Sequence, residues 1–122
     1  MKGGYVDGFV LPVAKKNLGA YRRLAQKAGK IWKKHGALKY FECAGDELNS
    51  PWSTLKFPKI AKAKPGETVV FSFVIYKNKA HRNQVNASLM KDPFMQPSQK
   101  KEPMPFDMKR MAYGGFKVLV QA

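Results

Sequence analysis

Three stretches of this sequence bring together side chains able to move a proton or hold a polar ligand. Asp107, Lys109 and Arg110 set opposite charges close together in the block Phe106 to Met111, and the phenol of Tyr113 follows. A loop of that composition on a rigid scaffold is a common place for a binding site. The plainer alternative makes Asp107 the cap of a short helical turn and Arg110 the partner of a carboxylate at a dimer contact. His81 and Arg82 form the second stretch. A histidine there has a suitable ordinary pKa for a general base and equally suits a packing role. Asp7 is the third, an acid in the otherwise apolar run Tyr5 to Val13. It serves either as a proton acceptor in a pocket or as the partner of a lysine such as Lys117. Residue types alone leave both open.

Other chemistries find less support. One cysteine, Cys43, and two histidines at no metal-ligand spacing argue against a zinc site, and neither metal nor cofactor is expected. Nothing near Cys43 in sequence would lower its pKa, which predicts an inert, buried thiol. Gly114-Gly115 leads into a strand and not a helix, so the logic of a phosphate-cradling loop fails. The longest apolar run, Val69 to Tyr76, includes Ser72 and falls far short of the ~20 residues that span a bilayer. Asp7 and Pro12 interrupt the apolar stretch near the N-terminus, which lacks a secretory pattern. With a lone thiol as well, a cytoplasmic protein without membrane association is expected.

Lysine and arginine number 23 against 8 acids, a formal net charge of +15. All but four of the cations are lysine, and they are spread over both halves of the chain. Base readout and bidentate phosphate clamping favour arginine. No zinc-finger, RNP, basic-zipper or helix-turn-helix pattern is present. The charge therefore supports only non-specific attraction to nucleic acid or other polyanions. Arg23, Lys27, Lys30 and Lys34, recurring along one side of a helix, are its best candidates.

The elements that must place these residues follow from periodicity. A strand is expected over Tyr5 to Val13, with Tyr5, Asp7, Phe9, Leu11 and Val13 on one face and Pro12 ending regular pairing. Leu18, Tyr21, Leu24, Ala25, Ala28, Ile31 and Trp32 form one apolar stripe of a helix, with Asn17 as N-cap and Gly36 at the C′ position. Strands are expected over Ala37 to Ala44, Phe57 to Ala63, Thr68 to Tyr76 and Phe116 to Val120. A second helix spans Asn78 to Met90, ended by Asp92-Pro93, and residues 93–105 carry four prolines and read as a loop.

The main order is strand, helix, strand, strand, helix, strand in one domain over residues 1–122. It predicts an α+β sandwich with a four-stranded, mainly antiparallel sheet. Two helices cover one face of such a sheet. Yet Val69, Phe71, Phe73 and Ile75 lie on one side of the third strand, and Val70, Val74 and Tyr76 on the other. An antiparallel sheet with a solvated face alternates apolar with polar instead. The uncovered face needs a partner, and a second copy related by two-fold symmetry is the simplest one. A homodimer is expected.

Several blocks carry a family resemblance: Tyr5-Val6-Asp7-Gly8-Phe9, Pro65-Gly66-Glu67-Thr68, Ala80-His81-Arg82, Pro105-Phe106-Asp107-Met108-Lys109-Arg110-Met111 and Tyr113-Gly114-Gly115-Phe116. The chain resembles the YbaA-like family of bacterial proteins, a domain of unknown function, nearly end to end. The resemblance implies a ferredoxin-like βαββαβ protomer of the dimeric α/β-barrel superfamily. That superfamily holds cofactor-free monooxygenases, haem-degrading enzymes, lactone isomerases and non-catalytic ligand-binding domains, so fold does not fix activity. The leading expectation is a homodimer that binds a small organic molecule, with cofactor-free monooxygenase- or isomerase-like chemistry as its extension. Asp7, His81, Arg82, Asp107, Arg110 and Tyr113 are its candidate ligand contacts. Phe9, Phe71, Phe73, Trp32, Tyr76 and Phe116 would either line a cavity for a flat ligand or fill the core. The alternatives are a polyanion-binding module and a structural or regulatory dimer without ligand.

Overall fold

A computed structural model describes residues 4–95 and 104–122. The elements are β1 (Tyr5–Ala14), α1 (Leu18–Lys34), β2 (Lys39–Ala44), α2 (Phe57–Ile60), β3 (Glu67–Tyr76), α3 (Lys79–Met90) and β4 (Ala112–Lys117). The strands form one sheet in the order β2-β3-β1-β4, with every neighbouring pair antiparallel. Each long helix crosses over one strand, α1 from β1 to β2 and α3 from β3 to β4.

Both helices lie on the same face. Leu11, Val13 and Val70 pack with Tyr21 and Ala25 of α1. Tyr5, Val74 and Tyr76 pack with Val85 and Leu89 of α3. The register puts Val6, Gly8 and Val10 of β1 beside Ile75, Phe73 and Phe71 of β3 on the opposite face. Phe116, Gly114 and Ala112 of β4 continue that face. Among the described residues, no helix covers the centre of that face. Phe71 and Phe41 are more than two-fifths exposed and Phe116 more so, while Phe41 stacks on Phe73 at 4.9 Å. The two apolar faces expected for β3 are present, and the aromatic set divides between them. Phe9, Trp32 and Tyr76 face the helices, and Phe71, Phe73 and Phe116 face outward.

Several expectations need correction. Residues 57–63 hold the four-residue helix α2 and no strand, because Pro58 sits in its first turn, where a missing N–H costs nothing. Pro12 does not end β1, which pairs with β3 through Ala14. β4 stops opposite Val10, so β1 is unpaired on that side beyond it and tolerates a proline. β4 begins at Ala112, with Gly114 and Gly115 inside it and Val118 to Val120 outside. A Cβ at Gly115 would lie 2.3 Å from Tyr5 Oη, so that glycine is required by the ring lying across it. Asn17 makes no side-chain cap, whereas Gly36 does take a positive φ of 113°. Cys43 is exposed on β2 and not buried. Much of the loop expected over 93–105 lies outside the described residues; 93–95 form a 3-10 turn.

The chain segment before β4 is tied to the start of β3 by one arginine. Arg110 Nη1 and Nη2 donate to Glu67 Oε1 and Oε2 at 2.7 and 2.8 Å. Its Nε donates to Asp107 Oδ2 at 3.1 Å, and Nη1 also reaches the Lys62 carbonyl at 2.9 Å. Asp107 Oδ1 accepts the Lys109 N–H at 2.9 Å and so caps the turn 108–110. The Arg110 hydrogen bonds, helped by the Lys64 N–H, hold Glu67 down at about 2 from an ordinary 4.5. A carboxylate with a lowered folded pKa contributes stability above its unfolded pKa and loses it as pH falls through the folded one. Arg110→Ala should therefore lower the melting temperature at pH 7 by more than Lys109→Ala does. In thermal melts the gap to the parent should close between pH 4.5 and about 2. A gap unchanged at the acid end would remove the ion pair as its cause.

Candidate active site

Asp7 stands in the middle of β1, between Val74 of β3 and Gly115 of β4, on the face beneath the helices. It is 2% exposed. Because Gly115 has no side chain, the space beside Asp7 goes to Tyr5, which shares its face two residues earlier. α3 brings Arg82 over this point from its first turn, which is set by Asn78 Oδ1 accepting the His81 N–H at 2.8 Å.

Arg82 is the hub. Its Nη1 lies 3.5 Å from Asp7 Oδ1 and donates to Tyr113 Oη at 2.8 Å. Its Nη2 donates to Tyr5 Oη at 3.1 Å, and the guanidinium carbon sits 4.9 Å from the centre of the Tyr5 ring. A phenol oxygen that accepts from arginine keeps its own proton to donate. Tyr76, opposite Tyr5 in the ladder, is fully buried. Burial pushes Asp7 above the ordinary carboxylate value, and Arg82 with the Tyr113 and Tyr76 hydroxyls only partly offsets it. Burial and the Asp7 charge raise Tyr76 and Tyr113 in turn.

Among the described residues, three buried side-chain atoms lack a hydrogen-bond partner: Asp7 Oδ1, Tyr76 Oη and Arg82 Nε. All three belong to this one cluster. Buried polar groups are nearly always satisfied, and each exception calls for a ligand, a water or a catalytic reason. A cleft of about 530 Å³ lies alongside, lined by Tyr5, Lys79, Gly115, Phe116 and Lys117. The arrangement offers a carboxyl group poised to exchange a proton, a cation and phenol donors at one point.

The structure thus unites Asp7, Arg82 and Tyr113 from three separate sequence regions. Lys117 lines the cleft, and the cation on Asp7 is Arg82. His81 is turned to the helix cap: its Nδ1 accepts the Lys77 N–H at 3.0 Å and its ring meets Tyr76 edge-on. Asp107 and Arg110 belong to the Glu67 clamp. Glu67 and Val74 are seven residues apart on β3, ~23 Å at a strand's rise, so the clamp is remote from Asp7. The sequence names Tyr76 only as one of six aromatics for a cavity or the core, and Tyr5 not as a site residue. Their period-two relation to Asp7 and Val74 was visible, but the register that pairs them was not. Arg23, Lys27, Lys30 and Lys34 are all exposed along α1. No group of three or more acidic, His or Cys side chains suited to a metal occurs among the described residues, and no helix there is long and apolar enough to cross a membrane.

Sheet order, crossovers and the helix-covered polar cluster define an α+β protein of ferredoxin-like fold. A solved structure from an uncultured marine organism, described as a dimeric ferredoxin-like protein, matches 98% of this chain and 99% of its own with a TM-score of 0.58 and 12% identity. Residues 4–108 match the model of the family described as protein of unknown function, DUF1428. The chain belongs to that family. The proteins named uncharacterized protein YbaA in Escherichia coli K12 and in Shigella flexneri are 41% identical to it over 116 residues, covering 95% of this chain and 97% of theirs.

A buried acid with a raised pKa stabilises the fold only below that pKa, and holding it ionised at pH 7 is unfavourable. Asp7→Asn should therefore raise the melting temperature at pH 7, with Arg82 keeping Tyr5 and Tyr113 as acceptors. The gain should shrink as pH falls through the raised folded value and be gone below pH 3.8, where the parent carboxyl is neutral in both states. A fall in melting temperature at pH 7 would make Asp7 a structural residue.

Proposed function

We propose that this protein works as a homodimer joined through its open sheet faces, and that each protomer binds a small organic molecule at the Asp7–Arg82 cluster. Asp7 exchanges a proton with the ligand there, while Arg82, Tyr113 and Tyr5 orient its polar atoms. The observation that carries the reading is that three buried atoms without a hydrogen bond, Asp7 Oδ1, Tyr76 Oη and Arg82 Nε, converge on that cluster. A polar ligand atom at this point would satisfy them. Exposed Phe41, Phe71 and Phe116 support the pairing, as does likeness in fold to a protein described as dimeric. The same residues support cofactor-free, isomerase-like chemistry in which Asp7 takes a proton from one atom of the ligand and returns it to another.

Light scattering should give twice 13.8 kDa, and Phe71→Glu with Phe116→Glu should give 13.8 kDa. A parent monomer at micromolar concentration removes the dimer. For the site, a panel of small carboxylic acids, phenols and quinones is screened by thermal shift. At least one should stabilise the parent and fail to stabilise Arg82→Ala. The same shift in both proteins, or none in the parent, rejects the site.

A second reading draws on α1, which carries six cations and no acid, four of them in the exposed stripe named above. It supports weak, lysine-based attraction to polyanions. Affinity for duplex DNA should then fall steeply as salt rises, with a log–log slope of about −0.9 per phosphate neutralised. Affinity insensitive to salt excludes it.

A further inference from the structure

A second, larger recess lies on the other side of the helix layer, where α1 passes over β2. We propose that this groove binds an amphipathic organic anion, with an apolar body along the floor and a single carboxylate or sulfonate at the rim. It measures about 990 Å³, at the upper end of the ~300–1,000 Å³ typical of small-molecule sites.

The groove exists because of residue size and strand position. β2 is an edge strand, so nothing flanks its outer side. The residues of α1 above it include Ala25 and Gly29, and a Cβ on Gly29 would come 3.0 Å from the Tyr40 ring. Tyr40 therefore lies against the helix backbone, braced by Trp32 at 5.8 Å, and leaves room beside it. Leu18 and Val70 complete an apolar floor.

The charges are segregated. Arg22, Lys30, Lys33 and Lys39 surround the opening. Lys33 Nζ donates to the Leu38 carbonyl at 2.6 Å. Arg22, Lys30 and Lys39 make no ion pair among the described residues. The one acid in the groove, Glu42, has both oxygens taken, by Tyr21 at 2.7 Å and Tyr40 at 2.5 Å. With both hydroxyls spent on Glu42, the floor offers an anionic head no free donor, and the cations lie at the rim. The floor residues Tyr40, Glu42 and Val70 lie on the helix side of the sheet, while Lys39, Phe41 and Cys43 reach the rim from the open face. No residue of the groove belongs to the Asp7 cluster, so the proposal stands independently of that site.

Calorimetric titration of the full chain with dodecanoate and with dodecyltrimethylammonium, both below their micelle concentrations, tests this. Dodecanoate should bind once per protomer, and the cation at least about tenfold more weakly, the ratio that 1.4 kcal/mol represents. Lys30→Glu with Lys39→Glu should weaken dodecanoate by about the same factor. Ala44→Trp, which fills the groove from an exposed position, should abolish binding while circular dichroism stays unchanged. Arg82→Ala should bind as the parent does. Equal binding of both head groups, no binding by the parent, or binding kept in both groove variants overturns the proposal. Loss only in Arg82→Ala moves the ligand to the Asp7 cluster and equally overturns it. Binding that weakens as protein concentration rises gives the groove to a second copy, with the same result.

Discussion

Tyr5 to Ala14 pairs residue for residue with Tyr76 to Glu67, and this ten-residue ladder places every group described above. It runs through the centre of the sheet, with β2 on one side and β4 on the other. A slip of one residue would exchange the two faces, sending Asp7 outward and Phe71 inward. Apolar residues on both faces resist that slip less than a one-sided pattern would. Asp7 and Ser72 supply the missing asymmetry, since both need the polar surroundings found only beneath the helices.

The eight acids are used economically against 23 cations. Asp7, Glu42, Glu67, Asp92 and Asp107 all bond within the fold. Asp92 holds the ends of α1 and α3 together through His35 Nε2 at 2.7 Å. With these five acids bonded within the fold, few carboxylates are left to pair with the surface lysines. The high net charge itself follows from the count, 8 acids against 23 cations.

The long helices and the two ten-residue strands, β1 and β3, were legible because their apolar periodicity extends over many residues, and β2 by its large apolar residues. So was the two-faced character of β3, which needs only alternation. β4 was placed too late because Gly114 and Gly115 read as the lead-in to the strand, whereas they lie within it and pack closely against Phe116 and Tyr5. α2 is too short for periodicity to show. Three of the five residues of the site, Asp7, Arg82 and Tyr113, were legible from residue chemistry. Its other tyrosines required the cross-strand register, which is a long-range fact. The plainer of the two readings of Asp107 and Arg110 agrees with the structure in the cap and in an ion pair, but the carboxylate is Glu67 of the same chain and not one at a dimer contact. Glu67 lies 43 residues away from Arg110 and carried no local signal.

β4 has six residues, two of them adjacent glycines, and lies at an edge paired only to β1. Such a strand opens more readily than the rest of its sheet, exchanging its amide hydrogens before the β1–β3 ladder does. Tyr113 rides on it and meets Arg82 only while it is docked. The completeness of the site is therefore set by the local stability of one glycine-rich edge, and a molecule bound at Arg82 would slow the fraying of the strand that builds half its own pocket.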